Sequence, residues 1–212
     1  MALGDLLNLN PTRELNEAEL AADPFVQFRR WLDEAIAAGL PQPDAMTLAT
    51  ATAAGIPSAR MVLLRGYDER GFAFYTNYES RKGEELTANP RAALVFYWAP
   101  LERQIRIEGT VTTVTEAESD AYFQSRPRGS CLSAIASPQS RVVPNREVLE
   151  EKVRQLEEKF LGQTVPRPAT WGGYRVVPAQ IEFWQGRANR LHDRLRYVRE
   201  EGGMWRIERL SP

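Results

Sequence analysis

The stretch RQIRIEGTVTTV, residues 103–114, decides the class of fold, because Ile105, Ile107 and Val111 alternate in it with Gln104, Arg106 and Thr110. A period of two sends the apolar set to one face of a half-buried strand and the polar set to the other. The pattern extends outward on both sides. Upstream, 45–53 and 56–65 alternate around an Ala54-Gly55 turn, 71–77 (GFAFYTN) follows a further turn, and 91–98 leads into the quoted run. Downstream, strands are expected near 174–185, 191–199 and 204–209. Helices are fewer. Asp23 as N-cap and Pro24 at the first helical position open one with the stripe Phe25, Phe28, Leu32 and Ile36, and Gly39 stops it. Others are expected at 81–88, between Ser80 and Asn89-Pro90, at 116–125, at 129–136, and at 145–161, which Asn145 caps and Leu149, Val153, Leu156 and Phe160 stripe. Residues 1–22 lack periodicity and read as a flexible N-terminal arm, and 23–212 as a single domain. Six or more short strands with few helices between them predict a mainly β (α+β) fold, an antiparallel barrel and not a doubly wound sheet.

Composition narrows the class of function. The chain has 212 residues, 43% hydrophobic and 26% charged, which is ordinary globular usage and excludes a disordered tail or a fibre. No apolar run approaches the ~18–20 residues that span a bilayer. The opening MALGDLLNLN carries Asp5 and no basic n-region, so no secretory signal is expected. One cysteine, Cys131, and one histidine, His192, speak against a disulfide framework and against a zinc site. A net charge of −1 gives no general attraction to nucleic acid or to a membrane. A soluble cytoplasmic protein is expected. Of its 27 basic residues only Lys82, Lys152 and Lys159 are lysine. Codon bias accounts for that as readily as a need for forked recognition of phosphate, which arginine performs better than lysine.

Dinucleotide, P-loop, zincin and nucleophile-elbow motifs are absent. Four segments carry candidate chemistry. In YTNYESRKGEEL (75–86), Ser80 as N-cap puts Arg81 and Lys82 in a first helical turn, where cations oppose the macrodipole unless an anion sits there. Side chains swung into water beside Glu84 and Glu85 are the plain alternative. RMVLLR (60–65) has an arginine at each end, and strand parity puts Arg60 and Arg65 on opposite faces unless a bulge intervenes. AYFQSRPRGSCLSAIASPQS (121–140) gathers Tyr122, Arg126, Arg128, Ser130, Ser137, Gln139 and Ser140, donors suited to a phosphate dianion or to a merely polar loop. In FWQGRANRLHDR (183–194), an extended chain sends Arg190, His192 and Arg194 to one face. Four anion-binding groups with neither a metal set nor a nucleophile–base pair describe a site for more than one phosphate-bearing small molecule, with a cofactor carrying the chemistry.

These motifs, with LERQ (101–104), WGGYRV (171–176) and IEFWQGRANRLHDR (181–194), resemble the pyridoxine/pyridoxamine 5'-phosphate oxidase family from about Asp23 to Pro212. The resemblance implies a split β-barrel homodimer with flavin mononucleotide (FMN) at the subunit interface. It places FMN contacts on Arg60, Met61, Val62, Leu63, Leu64, Arg65, Tyr75, Thr76, Arg81, Lys82, Gln104, Gln139, Ser140, Trp184 and Arg194. It places the substrate phosphate on Arg65, Tyr122, Arg126 and Ser130, with Arg190 and His192 as catalytic residues against the pyridine ring. The implied reaction oxidises pyridoxamine 5'-phosphate and pyridoxine 5'-phosphate to pyridoxal 5'-phosphate, with O2 as acceptor and H2O2 as product. The family's lysine after R-M-V-L-L is Arg65 here, and residues 1–22 hold Arg13 but no tyrosine. A split-barrel flavoprotein acting on another substrate and a non-catalytic flavin or pyridoxal-phosphate carrier are the alternatives that the residues leave open.

Overall fold

Strand β7 (Trp171–Gln185) organises the structure, a computed structural model that describes residues 14–212. Its fifteen residues pair antiparallel with three neighbours: β6 (Arg103–Thr113) along most of its length, β4 (Gly71–Asn77) at its first half, and β8 (Asp193–Arg199) at its second. The change of partner falls at a bulge between Glu108 and Gly109, opposite Pro178. Proline donates no ladder hydrogen bond, so a bulge is where a long strand tolerates one. The backbones close in there, and a Cβ on Gly109 would lie 2.0 Å from the Val177 carbonyl oxygen.

The remaining strands are β1 (Ala45–Ala51), β2 (Pro57–Leu63), β3 (Gly66–Asp68), β5 (Arg91–Trp98) and β9 (Trp205–Arg209). The sheet runs β2-β1-β5-β6-β7-β4-β3, with β8 and β9 continuing from the far half of β7, and every pairing is antiparallel. This is the expected antiparallel barrel, curled around one aromatic core. Phe28, Phe72, Phe74, Phe96, Phe183 and Tyr197 are completely buried. β3 replaces part of what reads as a turn in the sequence, since Arg65 to Asp68 pick up the edge of β4.

Helix α1 (Pro24–Ala37) packs onto that core, and the Asp23 carboxylate accepts from the Phe25 N–H at 2.7 Å as its cap. Its buried stripe is Phe25, Phe28, Trp31 and Ala35, and not the expected one ending in Ile36, which is 57% exposed. Once Phe25 and Phe28 face the core, position 36 lies about 100° past position 35 and points outward. Phe28 meets Tyr67, Phe72 and Phe96 edge-on at 4.9–5.2 Å, contacts worth about 0.5–1.5 kcal/mol each beyond burial. The Arg103 guanidinium stacks 4.4 Å over Trp31 and bonds Glu34 at 2.7 Å, which ties α1 to β6. No helix among the described residues is long and apolar enough to cross a membrane.

Helix α2 (Arg81–Ala88) follows β4, while α3 (Glu116–Ser125), α4 (Arg128–Ala136) and α5 (Glu147–Lys159) lie between β6 and β7. Thr115 and Glu118 form a capping box at α3. Asn145 Oδ1 accepts from the Val148 N–H at the start of α5, which is shorter at both ends than the expected 145–161. These helices cover a second apolar cluster of Phe123, Cys131, Leu132, Val165 and Trp171. Of the segment read as an arm, residues 1–13 lie outside the described residues. Leu15 is buried, and its N–H donates to Asp193. Glu17 pairs with Arg209.

Candidate functional site

Helix α2 begins where chemistry demands it. Ser80 Oγ accepts from the Gly83 N–H, and a Cβ on Gly83 would lie 2.0 Å from the Tyr78 carbonyl oxygen, so the first turn seats tightly on the end of β4. The two cations of that turn then part. Arg81 turns outward and pairs with Glu85 through Nε at 2.9 Å. Lys82 turns inward and is only 8% exposed. Its Nζ reaches three neutral oxygens, Thr76 Oγ1 and Gln139 Oε1 at 3.2 Å and Ser80 Oγ at 3.4 Å. It forms no ion pair with any described residue. Burial, with help from nearby Arg60, pushes the ammonium below the ordinary lysine range, against an opposing pull from Glu85. A buried cation held only by hydroxyls and an amide is suited to receive an anion.

Lys82 stands at one part of a cleft of about 680 Å³, a size suited to small molecules. Strand β2 supplies one wall with Arg60, Met61, Val62 and Leu63, and Arg65 extends it. Arg60 and Arg65 share the cleft, in spite of strand parity, because β2 stops at Leu63. Residues 64 and 65 then carry the chain from its pairing with β1 to its pairing with β4, and Leu64 turns into the core. Tyr75 and Thr76 come from β4, Tyr122 and Arg126 from the end of α3, Ser130 from α4, and Gln139 from the turn beyond it.

A second cation marks another part of the cleft. Arg126 Nη1 is buried without a hydrogen-bond partner among the described residues, and its guanidinium lies 4.8 Å over the Trp171 ring. Tyr75, Tyr122 and Trp171 stack nearly parallel, Tyr75 to Tyr122 at 4.1 Å, and form a flat apolar wall. Arg65 is held by Asp44 at 2.9 Å. Twelve of the expected site residues thus converge: Arg60, Met61, Val62, Leu63, Arg65, Tyr75, Thr76, Lys82, Tyr122, Arg126, Ser130 and Gln139. Ser137, one of the donors expected in 121–140, lines the same cleft, as do Asn77, Ser133 and Trp171, which were not anticipated as site residues.

The others lie elsewhere. Leu64 is core, Arg81 and Ser140 are outside the lining, and Gln104, Trp184 and Arg194 lie side by side on β6, β7 and β8, with Arg190 and His192 in the segment that joins β7 to β8. Gln104 pairs with Trp184 and Trp184 with Arg194 across the three strands. The Trp184 ring lies 4.6 Å from that of His192, whose Nδ1 accepts from the Arg187 N–H at 3.0 Å. The expectation of Arg190, His192 and Arg194 on one strand face is corrected. Residues 188–190 form a single 3₁₀ turn with Asn189 and Arg190 left-handed (φ 57° and 62°), and β8 starts only at Asp193. Arg194 is occupied within the chain, bonded to Glu182 at 2.8 and 3.1 Å and to the Ser211 carbonyl oxygen at 2.9 Å.

Comparison with known proteins adds names to this geometry. Residues 32–160 match the family model described as pyridoxamine 5'-phosphate oxidase, and residues 171–212 match the pyridoxine 5'-phosphate oxidase C-terminal dimerisation region. A protein of Cupriavidus pinatubonensis named pyridoxine/pyridoxamine 5'-phosphate oxidase is 59% identical over 210 residues, 99% of each chain. One of the same name from Nostoc punctiforme is 59% identical over 93% of this chain and 92% of its own. Among solved structures, PhzG from Burkholderia lata 383, in complex with tetrahydrophenazine-1-carboxylic acid, superposes with a TM-score of 0.89 at 35% identity, covering 96% of this chain and 100% of its own. An FMN-binding, pyridoxamine 5'-phosphate oxidase-related protein of Nostoc punctiforme shares the fold, with a TM-score of 0.71 at 18% identity over 91% of this chain and 100% of its own.

Proposed function

The chain belongs to the pyridoxamine 5'-phosphate oxidase family, and from that premise we propose that it oxidises pyridoxamine 5'-phosphate and pyridoxine 5'-phosphate to pyridoxal 5'-phosphate, with FMN as cofactor. The observation that carries this reading is the cleft with two cations, buried Lys82 and half-buried Arg126, neither of them paired with a carboxylate among the described residues. That donor set fits two phosphate monoesters, one on the cofactor and one on the substrate, with an aromatic wall alongside for flat rings.

In this reading Lys82, Thr76 and Gln139 hold the FMN phosphate, and Arg126, Tyr122, Ser130 and Arg65 hold that of the substrate. Bound FMN supplies a ring that accepts two electrons and passes them to O2, giving H2O2. The chain itself binds, orients and excludes water. A phosphate clamp remote from the reacting carbon contributes binding energy that fixes the substrate against the ring. The active unit is a homodimer, since the C-terminal match is a dimerisation region, and the group on β6 to β8 serves a cleft built from a second copy. Arg190 and His192 in that group orient the substrate ring and stabilise charge developing on it. The Arg187 N–H bond to Nδ1 places the proton of neutral His192 on Nε2, the nitrogen left to face a ligand. A cytoplasmic setting belongs to the same proposal.

Anaerobic mixing of the yellow holoprotein with pyridoxamine 5'-phosphate tests it. Flavin absorbance should bleach and return on admitting air, with pyridoxal 5'-phosphate and H2O2 formed. A flavin that stays oxidised overturns the assignment.

A further inference from the structure

One carboxylate beneath the cleft has no part in the roles assigned so far. Glu85, on the inner face of α2, is 5% exposed. Its Oε2 accepts from Thr50 Oγ1 of β1, from Ser58 Oγ at 2.6 Å and from Arg60 Nη2 at 3.2 Å, the last two on β2. Its Oε1 accepts from Arg81 Nε at 2.9 Å. Burial works against its ionisation, but the bonds from Ser58, Thr50, Arg81 and Arg60 prevail and hold its pKa at about 2. Glu85 is therefore an anion beneath a site read as binding an anion, which is unfavourable unless the charge has a task.

Its position shows the task. Arg60 comes from a strand that lines the cleft and Arg81 from the first turn of the helix beside it, and a single carboxylate joins the two. Arg60 is further bonded to the Leu48 carbonyl oxygen and to the Thr50 and Ser58 hydroxyls, so both its Nη groups are held in place. Arg81 gives only Nε to Glu85, and both its Nη groups have no bond to any described residue. Two long side chains are thereby ordered before any ligand arrives, which removes an entropic cost from binding. The charges also balance. Arg60, Arg81 and Lys82 against Glu85 leave two positive charges, and Glu84 is neutralised separately by Arg141. A phosphate monoester carries about −1.5 to −2 near pH 7.

We propose that Glu85 is a positioning residue for the cofactor phosphate, holding Arg60 in the cleft wall and tethering Arg81, which lies outside the lining in the ligand-free chain, beside it. The inference rests on the FMN reading above and adds a residue that touches neither cofactor nor substrate.

The test compares FMN with riboflavin, which lacks the phosphate, by fluorescence titration of the flavin-free full-length protein. The quantity read is the ratio of the two dissociation constants. Glu85→Ala should lower the preference for FMN at least about tenfold, as expected when charged donors lose their fixed partner, while riboflavin affinity stays within about twofold. Glu85→Gln keeps the shape and one acceptor but loses the charge, and should lower the preference by a smaller factor. It decides the matter alone if the alanine variant does not fold. A preference unchanged or raised in the folded variants overturns the proposal, as does an equal loss for both ligands, the mark of a merely structural role. A wild-type protein that binds riboflavin as tightly as FMN overturns the cofactor reading itself and the proposal with it.

Discussion

Lys82 Nζ lies 3.2 Å from Gln139 Oε1, a contact that joins the first turn of α2 to the turn beyond α4 across 57 residues of chain. Thr76 Oγ1 donates to the same Gln139 oxygen at 2.8 Å, so three elements meet at one buried cation that no acid among the described residues pairs with. Such a centre weakens the ligand-free protein in order to bind a ligand.

Lys82→Met should therefore abolish FMN retention and yet stabilise the flavin-free protein, by about 2–4 °C in Tm for each ~1 kcal/mol of desolvation relieved. The sign with pH follows. Because the folded state holds this proton less tightly than the unfolded chain, the wild-type flavin-free protein gains stability as pH rises from the depressed folded value towards 10.5. The Tm gap between variant and wild type should narrow over that window. A gap that widens with pH contradicts a depressed lysine.

Arg126 is a second case of the same design. Its Nη1 bonds to no described residue, so Arg126→Ala should cost the free protein little and the substrate complex much. KM for pyridoxamine 5'-phosphate should rise about 10-fold or more, with kcat changed less and flavin content intact. Steady-state kinetics beside the flavin absorbance of the purified variant check this. Loss of flavin together with substrate affinity would mean that Arg126 serves the cofactor instead.

Asp44 competes for the Arg65 guanidinium. Both side chains are about one-third exposed, so the pair is worth only about 0.2–1 kcal/mol. If Arg65 must leave Asp44 to meet the substrate phosphate, Asp44→Asn should lower KM by at most about fivefold and leave kcat alone. A raised KM would show that Asp44 orients Arg65 rather than detaining it.

What the sequence made legible was local. Elements bounded by strong punctuation fall where the pattern puts them: 81–88 between Ser80 and Asn89-Pro90, and 91–98 behind Pro90. The start of the Lys82 site was readable for the same reason, since an N-cap and two adjacent cations are a short-range signal. Readings that assumed an unbroken chain failed. Parity separates Arg60 from Arg65 only if β2 continues past Leu63, and it aligns Arg190, His192 and Arg194 only if the chain is extended, whereas two left-handed residues interrupt it without any glycine to announce them. The contacts of Glu85 and Asp44 were invisible, because their partners come from other elements and no spacing encodes them.

The separation of the cleft from the group on β6 to β8 gives the most decisive prediction. Arg190 is exposed and makes no ion pair with any described residue, so Arg190→Ala should change stability by no more than about 0.5 kcal/mol. Its kcat/KM should nevertheless fall at least about tenfold if it stabilises charge on a substrate held by another chain. Arg194→Ala differs, because it strips buried Glu182 of two bonds, and a loss of about 1.5–3 kcal/mol is expected, visible as a lower Tm. Lys82→Met and Arg190→Ala damage opposite halves of the proposed shared site. Mixed in equal amounts and allowed to exchange subunits, half of the dimers become heterodimers. Each of these has one site with both lesions and one site with neither, so roughly a quarter of all sites are restored. The unexchanged parents together should show about a twentieth of wild-type activity or less, given the tenfold loss in one and the missing flavin in the other. Activity that climbs about fivefold on mixing is the expected result, with analytical ultracentrifugation confirming that the species is a dimer. Activity that stays at the parental average, in a preparation shown to have exchanged, would mean that each chain builds its site alone and that the group on β8 acts on nothing in its partner.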